Sequence, residues 1–215
     1  MEAFSDPPHA SLFPEEKEAI ARAVEKRRNE FTTARACARE ALAQLGIAPG
    51  PIPRGPDGAP RWPSGIAGSI THCAGYRACA VARTSEVASL GIDAEPNEAT
   101  PDGVAKTITD EAERRHLAAL PASSSASSAS ASWPGVHWDR LLFSAKESVY
   151  KTWFPLTGRW LGFEDARISI DPERETFTAR LQVPGPVVGG VRRDSFTGRW
   201  IAREGLLVTA IVIPA

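Results

Sequence analysis

Long apolar runs are missing from this chain of 215 residues: no stretch approaches the roughly 18 consecutive apolar residues that a membrane-spanning helix needs. The opening Met1-Glu2-Ala3-Phe4-Ser5-Asp6 lacks a basic region followed by an apolar core, so neither a span nor a secretory signal is expected and the expected location is cytoplasmic. Cysteine is scarce. Cys37, Cys73 and Cys79 are odd in number and lack metal-type spacing, which excludes a disulfide framework and a zinc site and fits reduced, structural thiols. Excess charge of either sign is also missing: a net charge of −1 rules out an electrostatic trap for nucleic acid or for a membrane surface. No phosphate-binding glycine loop of the Walker type, dinucleotide fingerprint or zinc constellation occurs. What is present is an ordinary globular composition, 42% hydrophobic and 24% charged, large enough for a substantial core in one domain or two small ones.

Charge is distributed unevenly. Arg22 to Arg61 holds eight basic residues (22, 26, 27, 28, 35, 39, 54, 61) against four acidic ones (25, 30, 40, 57), a region suited to a small anionic ligand. Residues 14–45 carry Phe31, Ala34, Ala38, Ala41, Leu42 and Leu45 at three- and four-residue steps, which predicts a helix ended by Gly46. Six prolines and three glycines between Pro49 and Pro63 make a restricted loop. Residues 65–71, 77–83 and 87–93 read as strands that pair in an antiparallel meander. Thr109 is the expected N-cap of a second helix reaching Leu120. Pro121 to Ser132 is almost all Ser and Ala, without an apolar stripe, and is expected to be a mobile surface loop. Residues 138–154 predict a third helix with Leu142, Ala145, Val149 and Trp153 in its core stripe, and 163–170, 177–183, 196–203 and 206–213 predict strands. Each half thus runs helix first and strands after. The expected fold is α+β, with two similar halves (1–105 and 106–215), each a helix on a three-stranded antiparallel sheet, related by a pseudo-twofold.

Two runs carry the chemistry. In Gly91-Ile92-Asp93-Ala94-Glu95 the carboxylates alternate, so on a strand both leave one face. In Phe143-Ser144-Ala145-Lys146-Glu147-Ser148-Val149-Tyr150-Lys151, Glu147 and Lys151 are four apart and stack on one helix face, away from the core stripe. Three hard oxygen ligands beside a lysine suit Mg²⁺-assisted transfer of a phosphoryl-type group. The plainer alternatives are a solvated strand end for Asp93 and Glu95, and for Glu147 and Lys151 a surface ion pair worth about 0.3–0.5 kcal/mol. Two acidic groups sharing a face repel, so without a cation they add nothing to stability, and their removal is expected to leave the fold intact. His72 beside Cys73 is no thiol-protease dyad, because strand neighbours face opposite ways, and Ser144 with Lys146 lacks the one-turn spacing of a Ser-Lys hydrolase.

These two runs, with Lys26-Arg27-Arg28-Asn29-Glu30-Phe31, the stretch from Trp62-Pro63 to Thr71-His72-Cys73, and Trp160-Leu161-Gly162-Phe163-Glu164-Asp165-Ala166, occur in the order seen in the phosphopantetheinyl transferases. The chain resembles the monomeric, double-length type that serves siderophore, polyketide and lipid synthases. The resemblance implies transfer of phosphopantetheine from coenzyme A to a serine of an acyl or peptidyl carrier protein. It implies Mg²⁺, with Mn²⁺ as the alternative, on Asp93, Glu95 and Glu147. Glu147 is the implied base and Lys151 the group facing the leaving phosphate. Thr71 and His72 are implied to bind the phosphates of coenzyme A, and Arg27, Arg35 and Arg54 its 3′-phosphate and adenosine, with Arg28 the alternative to Arg27. The loop Arg54-Gly55-Pro56-Asp57 would wrap the nucleotide. The Ser/Ala-rich loop departs from the family's pattern in length and composition; holding no group that binds a metal or exchanges a proton near neutral pH, it is expected to act only on the choice of carrier. The rival readings are a non-catalytic module binding coenzyme A or a carrier protein, and a metal-dependent phosphohydrolase.

Overall fold

The computed structural model describes residues 1–121 and 135–215. Apart from Pro121, the expected Ser/Ala-rich loop lies outside the described residues. In chain order the elements are β1 (Glu2–Ala3), α1 (Pro14–Lys17), a 3₁₀ turn (Glu18–Ile20), α2 (Glu25–Gln44), β2 (Ile66–Cys73), β3 (Tyr76–Arg83), β4 (Val87–Pro96), α3 (Val104–Ile108) and α4 (Glu111–Ala119). They continue with α5 (Trp138–Thr157), a second 3₁₀ turn (Phe163–Asp165), β5 (Ala166–Asp171), β6 (Thr176–Leu181), β7 (Val187–Val188), β8 (Val191–Arg192), β9 (Ser195–Arg203) and β10 (Leu206–Pro214).

The class is α+β, as expected, but the strands are divided unequally. One sheet has the order β1-β3-β2 and the other β4-β10-β9-β6-β5, with β7-β8 a separate ribbon. The expected meander therefore holds for β2 and β3 and fails for β4, which pairs with β10 from Leu206↔Pro96 to Ile213↔Ser89. β4 still runs beside β2, but hydroxyls replace the ladder: the Ile92 amide donates to Ser69 Oγ and the Ala94 amide to Thr71 Oγ1, each at 3.0 Å. A small core of Cys73, Tyr76, Ala78 and Ala94 fills this junction. Elsewhere α2 covers the small sheet through Cys37, Ala38, Ala41 and Leu42, and α5 covers the large one through the predicted stripe of Leu142, Ala145, Val149 and Trp153.

The helix expected over 14–45 breaks between Ile20 and Glu25. Glu16 and Arg39 would stand about 34 Å apart on one continuous helix, yet Arg39 Nη1 donates to Glu16 Oε1 at 3.0 Å. The chain turns back so that this fully buried carboxylate also receives the Phe13 and Ile52 amides, at 2.9 Å each. Glu113 repeats the device in the second half. It takes the Asp110 amide at 2.9 Å, the Ile168 amide at 2.8 Å and the Lys146 ammonium at 2.9 Å. Asp110, not Thr109, is the N-cap there, in a reciprocal capping box with Glu113.

Gly91 sets how closely β4 approaches α5. A Cβ at that position would overlap the Ser148 carbonyl oxygen and Thr152 Oγ1, and Ser89 Oγ two residues earlier donates to the Thr152 carbonyl at 2.7 Å. Gly91→Ala is expected to cost roughly 3 kcal/mol by forcing strand and helix apart, read as a lower urea midpoint; a midpoint equal to the wild type's would mean the contact relaxes freely.

Candidate active site

Close contact between β4 and α5 brings Asp93 against Lys151. Lys151 Nζ donates to Asp93 Oδ1 at 2.7 Å and to the Ile92 carbonyl at 3.1 Å, and Thr71 Oγ1 reaches the same Oδ1 at 3.2 Å. Asp93 is only 4% exposed, and its Oδ2 is buried without a hydrogen bond among the described residues. Glu95, two residues along the strand, is held through Oε2 by Arg140 Nη1 at 3.0 Å. Glu147 lies on the cleft side of α5, half-buried, and among the described residues its carboxylate forms no ion pair or hydrogen bond. The plain i,i+4 pair of Glu147 with Lys151 is therefore not formed; the lysine is spent on Asp93.

Thr71, His72, Asp93, Glu95, Glu147 and Lys151 line one small cavity of about 310 Å³. His72, Glu147 and Lys151 also line a larger one of about 710 Å³, whose other walls include Arg27, Arg35, Arg54, Asp57, Trp62 and Tyr150. Basic and acidic groups thus meet along one continuous surface. Gly55 and Pro56 do not line it. They shape the tight loop behind Arg54, in which the Gly55 amide donates to the Ala59 carbonyl at 2.8 Å. Arg28 turns away and donates to the Ala23 carbonyl at 2.8 Å, whereas Arg27 donates to His72 Nε2.

A family model described as "4'-phosphopantetheinyl transferase N-terminal domain" matches residues 15–82, and one described as "4'-phosphopantetheinyl transferase superfamily" matches residues 89–188. Over 210 residues the chain is 57% identical to the 4′-phosphopantetheinyl transferase Svp of Streptomyces mobaraensis, covering 98% of this chain and 82% of that one. It is 48% identical to PptT of Mycobacterium tuberculosis, covering 99% and 90%, and 46% identical to Npt of Nocardia iowensis, covering 95% and 90%. The chain belongs to the 4′-phosphopantetheinyl transferases. It is a transferase enzyme.

Electrostatics in this phosphopantetheinyl transferase separate along the cleft. Burial and then Asp93 raise the pKa of Glu95, against the pull of Arg140; burial and then Asp93 likewise raise that of Glu147, against Lys151. At the other end burial and the nearby Arg27 lower the pKa of His72, keeping the ring neutral with Nε2 as acceptor. Arg35 is brought by burial to about 10; its Nε donates to the Ile52 carbonyl at 2.8 Å and its guanidinium lies 4.2 Å over the Phe31 ring. Burial pushes the Cys73 thiol to about 12, which leaves it inert and agrees with rejecting a thiol dyad.

The donor set suits a hard divalent cation in one respect: Asp93 Oδ2, an anionic oxygen, is buried and unspent among the described residues. Among those residues no three acidic, histidine or cysteine side chains are gathered tightly enough to make a finished metal cluster. The sequence reasoning missed Arg140, which fixes Glu95, and Glu30, whose Oε2 lies 3.5 Å from His72 Nδ1 and 3.7 Å from Arg27. Glu30 carried a local signal, standing three residues after Arg27 on one helix; Arg140 carried none.

Proposed function

We propose that the basic cavity seats coenzyme A and that its phosphopantetheine passes at the acidic end to a serine hydroxyl of an acyl or peptidyl carrier protein. The observation that supports this is the shared wall: His72, Glu147 and Lys151 line both cavities, so a ligand held by Arg27, Arg35 and Arg54 extends to the carboxylates. Asp93, Glu95 and Glu147 are the residues that would hold Mg²⁺, or Mn²⁺ in its place. A divalent cation bound there supplies neutralisation of pyrophosphate charge and alignment for in-line displacement.

The rest is assigned to the chain's own groups. Glu147, raised in pKa and without a hydrogen-bond partner among the described residues, accepts the proton of the carrier serine. The serine oxygen bonds to the phosphorus bearing pantetheine, and the bond from that phosphorus to the bridging oxygen breaks, releasing adenosine 3′,5′-bisphosphate. Lys151 spends two of its three donors on Asp93 and Ile92 and has one for the leaving oxygen. Thr71, which accepts the Ala94 amide while donating to Asp93, keeps the β4 carboxylate in place beside the cofactor phosphates.

The enzyme is proposed to act as a monomer in the cytoplasm. Its three cysteines are free and buried, and among the described residues no helix is long and apolar enough to cross a membrane. Incubation with coenzyme A, Mg²⁺ and an apo carrier protein tests the reading: the carrier gains the mass of phosphopantetheine and adenosine 3′,5′-bisphosphate appears in equal amount. Release of the nucleotide without a change in carrier mass would point to a hydrolase, and no turnover to a binding module.

A further inference from the structure

Arg140 stands in the first turn of α5, and all three of its guanidinium nitrogens are engaged. Nη1 donates to Glu95 Oε2 at 3.0 Å, Nε to the Glu98 carbonyl at 3.2 Å and Nη2 to the Ala99 carbonyl at 3.0 Å. Its neighbour Asp139 accepts the Thr100 amide at 2.9 Å and the Thr100 hydroxyl. The start of α5 therefore clasps the chain as it leaves β4, from Glu95 to Thr100. Side-chain exposures of 16% for Arg140 and 18% for Glu95 mean that the pair is shielded from solvent, so it does not belong with exposed ion pairs of negligible worth. A planar guanidinium tied down at two carbonyls cannot follow a moving carboxylate, and the carboxylate must come to it.

We propose that Arg140 is a positioning residue for the cation site: it immobilises Glu95 through Oε2 and leaves Oε1 as the oxygen offered to the divalent ion. The inference rests on the assignment of Glu95 as a ligand made above. It differs from a purely structural role, in which Arg140 would only staple the 95–100 segment to α5. Carboxylates that bind metals are commonly oriented by such outer partners, whose loss costs about 10–100-fold in metal affinity.

The test uses the full-length protein saturated with coenzyme A, titrated with Mn²⁺ and followed by the signal of the free ion in electron paramagnetic resonance, with coenzyme A alone as blank. Arg140→Ala is expected to weaken Mn²⁺ binding about 10–100-fold, Arg140→Lys to recover part of it, and Arg140→Ala to have no further effect once Glu95→Gln is present, because its action runs through that carboxylate. Equal weakening by Arg140→Ala with and without Glu95→Gln would identify a structural staple and overturn the proposal. So would an unchanged affinity in Arg140→Ala when Glu95→Gln is impaired, which leaves the ligand assignment standing. Unchanged affinity in Glu95→Gln removes the ligand assignment, and the role of Arg140 with it. Cooperative thermal unfolding certifies each variant; should Arg140→Ala fail to fold, Arg140→Gln, which keeps an amide donor for the carbonyls and removes the charge, carries the same comparison.

Discussion

Asp93→Asn is expected to lower phosphopantetheine transfer by at least about 10²–10³-fold, the scale of loss when one stabiliser of developing negative charge is removed, because Asp93 holds the cationic groups that would stabilise it. The effect is larger than a single contact because Asp93 serves twice. Its Oδ1 anchors Lys151, and its Oδ2 is a buried anionic oxygen in the cleft with no hydrogen bond among the described residues. Asparagine keeps an acceptor for Lys151 and Thr71 but replaces the second oxygen by an amide that cannot ligate a cation. Coenzyme A affinity measured without metal should hold, since the basic cavity is untouched. Full transfer by Asp93→Asn in Mg²⁺ would sink the metal assignment. The alanine variant is the poorer probe. The expectation that Asp93 could be removed without cost to the fold treated the two carboxylates as facing only each other, whereas the structure gives each its own cation, Lys151 for Asp93 and Arg140 for Glu95. Asp93→Ala strands a partly buried ammonium and should lower the urea midpoint, whereas Asp93→Asn should lower it less.

Periodicity carried far in this chain where the relevant neighbours are local. A two-residue repeat puts Asp93 and Glu95 on one face of a strand, and a four-residue step puts Glu147 above Lys151 opposite an apolar stripe; both placements follow from backbone geometry alone. What the local pattern could not carry is partner choice. Glu147 and Lys151 are spaced to pair, yet Lys151 bonds to a residue 58 positions away. β4 is close in sequence to β3, yet its partner β10 is the last strand: β3 carries β2 on one edge and β1 on the other, and β4 meets the small sheet only through the Ser69 and Thr71 hydroxyls of β2. Glu16 and Glu113 stand in the first turns of their helices, where the helix dipole favours acids, and both are also buried hubs that tie helix to helix and, for Glu113, helix to sheet. One of them was readable. Asp110-Glu111-Ala112-Glu113 is a capping-box sequence, which moves the helix start from Thr109 to Asp110 and turns Glu113 inward. For Glu16 the N-cap is Phe13, and no such sequence exists.

At the basic end of the cleft, Arg27→Ala and His72→Ala are expected to weaken coenzyme A by about 10–100-fold while changing dephospho-coenzyme A far less. A hydrogen bond to a charged group contributes about 1.5–3 kcal/mol, and each 1.4 kcal/mol is about tenfold in affinity; the difference exists only when a 3′-phosphate is there to accept the bond. The geometry explains why these two positions are better probes than Arg35. Arg35 is buried, stacked on Phe31 and bonded to the Ile52 carbonyl, so its removal disturbs α2 and the following loop whatever the ligand. Arg27 has a side chain 45% exposed and is engaged with His72 and Glu30, so a phosphate can take over its guanidinium without unpacking a core. His72 is kept neutral by burial and by Arg27, and Glu30 beside its Nδ1 favours the tautomer with the proton there. An arriving phosphate that draws Arg27 away frees Nε2 to take up a proton and donate in turn. Isothermal titration of both ligands into wild type and the two variants gives the comparison. Equal weakening of coenzyme A and dephospho-coenzyme A would mean that neither side chain meets the 3′-phosphate, and would shift that contact to Arg54 on the facing loop.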